Sequence, residues 1–533
     1  MMTGEMKGRC CLINLPFVPL PSNKHISMKI LRAILFLILS YPSITASAQS
    51  TIHQFVESNK NRLINEYTNF VSIPNVSNDS ANIPLNTTFI QQMMEQRGIE
   101  SELLHGTTPG VNAAVYGEIK VAGATRTIVF YAHYDGQPVN PKQWANGLEP
   151  FKPVFITNSV EHGGTIVDYK PGQPLNDDWR LTGRASADDK AGVMTILNAY
   201  DALKESGVPL VNNIKFFFEG EEEIGSPHLD EIFQNNKEKL QADVWVVVDG
   251  PRDVSGKKTI VLGARGYVNM SLTVYAAKRP LHSGNYGNWA PNPAMRLAQL
   301  LAGMEDDKGH VLIKGFYDDA IPLTAEEKSA IAAIPDVSET LKKELGVAAP
   351  DGGGKPFLEL LSIPSLNIQG IQSANTGKLA AAVIPATADA ALDLRLVPGN
   401  DVQRQAQKVE DYIESKGYHI IDHDPTDEER AQYGHLIKVT IPSGYNAQRT
   451  SLSLPIAQSV IKAVQSTIDY PILLKPMMCG SLPLYLFEKD LNTKTVVVPV
   501  VNYDNNQHAE NENVQLKFLW EGIETMAAIM EMK

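Results

Sequence analysis

Between Thr51 and Gly263 three apolar runs stop abruptly at histidine or acidic residues: "RTIVFYAHYD", "IKFFFEGEEE" and "DVWVVVDG". Stretches of helical period, such as "IHQFVESNKNRLINEYTNFVSI" and "AGVMTILNAYDALKESG", lie between them. Runs this apolar fit strands buried on both faces. Their alternation with helices predicts an α/β fold, a mostly parallel sheet sandwiched by helices. In such sheets ligands bind beyond the carboxyl ends of the strands. Those ends are where this chain places His133, Asp135, a group of four glutamates (Glu219, Glu221, Glu222, Glu223) and Asp249. Close carboxylates repel unless positive charge sits among them.

After Gly263 the pattern changes. "GYVNMSLTVYAA" and "ATADAALDLRLVPG" alternate like half-exposed strands, with the helical stretches "AMRLAQLLAGME" and "DVQRQAQKVEDYIESKG" after them. This predicts an α+β domain inserted into the larger one. Near Pro442 the helical pattern returns, and "TKTVVVPVV" is again a buried strand. The expected organisation is a leader over residues 1–48, a first part of the main domain over 49–262, an insertion over 263–441 and a second part over 442–533.

The leader reading rests on Met28 onward. Lys29 and Arg32 give a basic start, "AILFLIL" an apolar core too short to span a bilayer, and Ala46-Ser47-Ala48 a small-residue cleavage site before Gln49. A secreted or periplasmic protein is expected, with no membrane contact in the mature form. Cys10 and Cys11 fall in the leader, leaving Cys479 alone, so no internal disulfide is expected. The formal charge of −13 argues against nucleic acid and anionic membrane surfaces as partners.

Further candidates for chemistry are Asp188 and Asp189 in "GRASADDKAG", just before a helix, and His508 in the polar loop "VNYDNNQHAENENV". Each segment alone has an ordinary structural explanation: a turn, a helix cap, a loop histidine. Jointly, His133, Asp188, Glu223, Asp249 and His508 offer two imidazoles and three carboxylates. That set suits two zinc ions, with one carboxylate bridging and one histidine plus one further carboxylate on each metal.

These motifs, with "EGEEEIGS", "LHSGNYGN", "VIPATADAALDLRLVP" and "QHAENE", resemble the di-zinc metallopeptidase family of carnosinase, glutamate carboxypeptidase and aminoacylase, and within it the carnosinase-like dipeptidases. The resemblance runs from about Ile52 to the end. It implies that Asp188 bridges two Zn2+ (Mn2+ or Co2+ being alternatives) across a cis peptide to Asp189. His133 and Asp249 would hold one metal, and Glu223 and His508 the other. Asp135 would orient His133, and Glu222 would be the general base. His282, in an inserted dimerisation (lid) domain, would reach the site of a second copy and stabilise the oxyanion in a homodimer. Gly480 and Ser481 would contact substrate.

The family's arginine after "IP", expected to grip the substrate carboxylate, is Ala386 here, and its Glu-Gly-Gly-Ser loop is "MMCGSLP". Arg395 reads as structural, and Arg449 and Lys475 are candidate replacement anchors. The implied activity is hydrolysis of dipeptides or of C-terminal amino acids. N-acyl amino acid deacylation and a catalytically inactive binding protein of the same fold are the alternatives.

Overall fold

The computed structural model describes residues 41–478 and 480–533, without the side chains of residues 41–48 and 344. Residues 1–40 of the expected leader fall outside these residues, and its expected cleavage site before Gln49 lies on the helix Tyr41–Val71. Among the described residues no helix is long and apolar enough to cross a membrane. From Thr51 to Lys533 the chain is one compact unit.

The main sheet has eight strands, in the order Ser101–Leu104, Ala114–Ile119, Asn213–Glu219, Thr127–His133, Val244–Val247, Thr495–Val497, Thr259–Val261 and Leu473–Lys475. Its centre is parallel. Thr127–His133 pairs with Asn213–Glu219 on one side and Val244–Val247 on the other, and the latter pairs in parallel with Thr495–Val497. The two strands before Thr127 pair antiparallel at one edge.

Strands with this composition belong at the centre because both faces are covered. Phe216 and Phe218 point into one core with the helices Lys190–Glu205 and Leu516–Met530. Phe217 points into the other with Trp245, Phe233 and Phe487. Phe217 and Trp245 meet edge-on at 5.3 Å between ring centroids. Burying a large apolar side chain contributes about 1.5–3 kcal/mol, so this run anchors the Asn213–Glu219 strand and the acidic turn at its end.

The insertion forms a second sheet, in the order Ser365–Gln372, Thr387–Leu396, Gly266–Tyr275, Leu436–Tyr445 and His419–Ile421, antiparallel except for the last pairing. Helices Pro293–Ala302 and Val402–Ser415 pack on it around their own core. Residue 441 falls within the Leu436–Tyr445 strand, which belongs wholly to this sheet. The crossing point lies further on, where Gly263 and Ala264 pair with Arg449 and Gln448. The return to helix read from Pro442 is displaced for the same reason, to Pro455–Gln465.

Candidate metal centre

His133 ends its strand at the sheet's carboxyl edge, fully buried. The period of two sends Tyr134 the other way, where its hydroxyl donates to the Ala113 carbonyl, and returns Asp135 to the side of His133. His133 Nδ1 lies 3.3 Å from Asp135 Oδ1. Its Nε2 faces Asp188 Oδ1 at 3.0 Å.

Asp188 and Asp189 are joined by a cis peptide bond, as the resemblance implied. The other oxygen of Asp188, Oδ2, lies 3.0 Å from His508 Nε2. One carboxylate thus sits between the two imidazoles. His508 Nε2 also meets Glu223 Oε2 at 3.1 Å. Asp249, beyond the end of Val244–Val247, completes the first group, so the five residues read from the sequence converge.

In each of two groups the ligand atoms lie within 4.8 Å of one another: His133 with Asp189 and Asp249, and Asp188 with Glu223 and His508. Asp189 takes the place in the first group that the sequence assigned to Asp188. Its oxygens, however, accept the Gly192 and His133 main-chain N–H groups, capping the helix Lys190–Glu205. Asp188 has its oxygens directed at the two histidines, so Asp188 is the carboxylate placed to join both groups and Asp189 the one that fixes the local backbone.

The acidic turn is arranged by Asp135. Its two oxygens accept the N–H groups of Glu222 and Glu223, at 3.2 and 3.1 Å, and Ser77 donates its hydroxyl to Oδ2. Glu222 Oε2 lies 3.8 Å from His133 Nε2, facing the centre without being a close partner. Gln137 donates to Glu223 Oε2 at 2.8 Å. Glu219 accepts the Tyr131 hydroxyl below the site. Glu221 turns away to His228 and the Asn112 N–H. Gly220 permits the turn, since a Cβ there would lie 2.2 Å from the Tyr134 hydroxyl.

Charge is concentrated here. Burial raises Glu222 well above the usual carboxylate range, with the nearby Asp249, Glu223 and Asp188 adding to it against the opposing His133. Burial, then the Asp188 charge, lifts Asp249 to about 7. Hydrogen bonds donated to Asp188 and Glu223 raise His508 to about 10. Such a cluster is stable only with positive charge among the carboxylates, supplied by protons or by metal cations. Nitrogen and oxygen donors in two groups, with Asp188 at 3.0 Å from a histidine of each, fit two divalent cations of borderline softness.

His282, on the short strand Leu281–His282, is exposed, and its Nδ1 accepts the Gly284 N–H. It makes none of the contacts that join the metal-centre residues. Gly480 is exposed beside Ser481, whose hydroxyl accepts from Arg395 Nη1 at 2.9 Å. Arg395 is not confined to the core of the second sheet. Leu392, Leu394 and Leu396 face that core, while Asp393 and Arg395 face the other way, paired at 3.0 Å. Tyr445 also interacts with Ser481, and its phenol is raised by burial and then by the charge of Glu222. The two candidate anchors are engaged elsewhere, Arg449 with Glu327 and Lys475 with Asp253.

Imidazole and carboxylate groups in two adjoining sets, with a further carboxylate held beside them at the mouth of a parallel sheet, define a metal-dependent hydrolase. A family model for peptidase family M20/M25/M40 matches residues 129–532, and the chain belongs to that family. It is therefore a metallopeptidase, a hydrolase of peptide bonds. Cys-Gly metallodipeptidase DUG1 of Saccharomyces cerevisiae is 26% identical over 502 residues, covering 90% of this chain and 97% of its own length. Beta-Ala-His dipeptidase of Homo sapiens is 25% identical over 436 residues, covering 80% and 78%. The solved M20 family metallo-carboxypeptidase Sso-CP2 of Sulfolobus solfataricus superposes with a TM-score of 0.71 at 27% identity, over 88% of this chain and 98% of that one.

If Asp188 joins two cation sites, Asp188→Ala should reduce bound zinc from about two ions per chain toward none, because each site loses a donor and the remaining carboxylates repel. Metal analysis of the purified variant checks this, and retention of both ions would contradict it.

Proposed function

We propose that the chain is an exported two-zinc dipeptidase that works as a homodimer and cleaves small peptides carrying a free C-terminal carboxylate. The observation that carries the reading is the hydrogen bond from Arg395 to Ser481, with Tyr445, whose phenol feels the Glu222 charge, interacting with the same serine. A fixed guanidinium next to a hydrolytic centre suits an amide bond close to a carboxylate. It supplies the cation that the sequence lacks at Ala386. The two curated relatives above are both named as dipeptidases, which supports the same substrate class.

His133, Asp249 and Asp188 would hold one zinc ion, and Asp188, Glu223 and His508 the other. When bound, the ions supply Lewis acidity that polarises the scissile carbonyl and acidifies the attacking water. Glu222, its backbone pinned by Asp135, accepts a proton from that water and returns it to the leaving amine. Asp135 also sets the His133 ring, so one carboxylate orients both a ligand and the base. Ser481 and the Gly480 backbone line the substrate side, with Arg395 on the carboxylate.

Export is supported by the basic, apolar and small-residue order of residues 28–48. Sequencing the N-terminus of the exported chain should read from Gln49, and a chain still beginning at or before Met28 would contradict it.

Substrate class is tested with dipeptides, their C-terminal amides and N-acetyl amino acids. Charge-assisted hydrogen bonds contribute about 1.5–3 kcal/mol, so Arg395→Ala should lower kcat/KM for a free-carboxylate dipeptide by roughly 10–100-fold. It should leave the amidated dipeptide unchanged. Equal losses on both would refute the anchor. Faster turnover of N-acetyl amino acids than of dipeptides would make the enzyme a deacylase.

Glu222→Gln keeps the side-chain shape but cannot take the proton. Turnover should fall by about 10²–10⁴-fold with two zinc ions retained. Loss of zinc with near-normal turnover would move the base to another residue.

The dimer proposal rests on the isolation of His282 from its own chain's metal residues and on exposed apolar surface nearby, including Trp289, 81% exposed. If His282 serves a second copy, a mixed dimer of His282→Ala and Glu222→Gln chains contains one complete site. Random pairing of co-expressed chains should then restore roughly a quarter of wild-type activity, well above either variant alone. Verified mixed dimers without recovery would exclude the trans-acting role.

A further inference from the structure

Glu512 is completely buried, four residues after His508, and serves neither as ligand nor as base in the reading above. Its Oε1 accepts the main-chain N–H groups of Ala187 and Asp188, at 2.9 and 3.0 Å. Its Oε2 accepts the Ala185 N–H at 2.9 Å and the Arg184 guanidinium at 2.7 Å. Its own carbonyl accepts the Gly183 N–H. The segment from Gly183 to Asp188 is therefore wrapped around one carboxylate. The wrapping needs a left-handed residue at Ala185, with φ of 61°. Arg184 is buried with it, and the pair lies in the interior behind the metal centre.

We propose that Glu512 is a positioning residue that holds Asp188 in register with His508, so that one carboxylate can serve two cations. The loop carrying His508 also carries the anchor of the loop carrying Asp188. Displacement of either loop is thereby resisted by four main-chain N–H hydrogen bonds, three to the carboxylate and one to the Glu512 carbonyl, and an ion pair. Gln507, from the same loop, donates to Asp188 Oδ2 at 2.8 Å and fixes the carboxylate from its other end. Glutamate suits the position because the bound groups are all donors. A glutamine would turn an N–H2 group toward one of them and leave Arg184 without its counter-charge.

The inference rests on the two-cation reading, and the test separates the two. Wild-type and Glu512→Gln chains are loaded with Co2+, and the visible absorption spectrum, the retention of Co2+ against a chelator, and kcat and KM for a dipeptide are measured. Groups that orient metal ligands typically contribute 10–100-fold to metal affinity or activity. The folded variant should release Co2+ at roughly 10–100-fold lower chelator concentration, show an altered ligand-field band, and lose kcat with KM within about twofold, since Glu512 touches no substrate-side group. A folded variant with the wild-type spectrum and retention overturns the proposal. If Glu512→Gln folds poorly, its folded yield is titrated with Zn2+. Recovery of the fold by the cation supports the coupling, and a yield indifferent to Zn2+ overturns it. A wild-type chain that binds no cation would instead remove the two-cation reading itself.

Discussion

The placement of one carboxylate, Asp188, between two histidine rings sets the terms for everything else at the sheet edge. A buried imidazole, an exposed one and several acids cannot lie this close unless their charges are interleaved, and Asp188 does this with an oxygen directed to each ring, at 3.0 Å. The separation of the rings, the capping role of Asp189 and the turn that carries Glu222 and Glu223 follow from it. Asp189 is used by the backbone, so the helix Lys190–Glu205 begins where Asp188 must end. Asp135 gathers the N–H groups of the acidic turn, so one carboxylate fixes the backbone of both Glu222 and Glu223.

Rigidity comes from the apolar layers beneath. The centre sits on the ends of the most deeply buried strands, each covered on both faces. The insertion contributes differently. Its sheet has its own core, yet one face of the Thr387–Leu396 strand carries Arg395 to Ser481. In the proposed function, catalytic geometry and substrate selection belong to two separately packed parts of the chain, joined where Tyr445 stacks on Tyr485 at 5.6 Å.

The parallel centre of the main sheet and the metal-centre residues were legible in the sequence because they coincide: apolar runs that stop at His133, Glu219 and Asp249 mark strand and site together. The register of the glutamates was read only through the family resemblance; in the folded chain Asp135 binds both of their N–H groups and Glu223 falls in a candidate ligand group. Other features left no mark. Ser77, Gln137, Gln507 and Glu512 are ordinary polar residues in loops, and only the folded chain shows that each holds a ligand or its backbone. Arg395 reads as structural because it alternates with leucines, and only the folded chain shows its guanidinium bonded to Ser481. The far boundary of the insertion was misplaced because Leu436–Tyr445 loses its apolar alternation halfway, where its later residues are exposed.

The central claim is that Asp188 joins two cation sites. The most direct measurement is anomalous diffraction at the zinc edge from crystals of the zinc-loaded chain. Two peaks about 3.5–4 Å apart, the spacing of two-metal centres, are expected on either side of Asp188, one against His133 and Asp249 and the other against Glu223 and His508. A single peak, or a pair in which Asp189 takes the bridging position, would contradict the account.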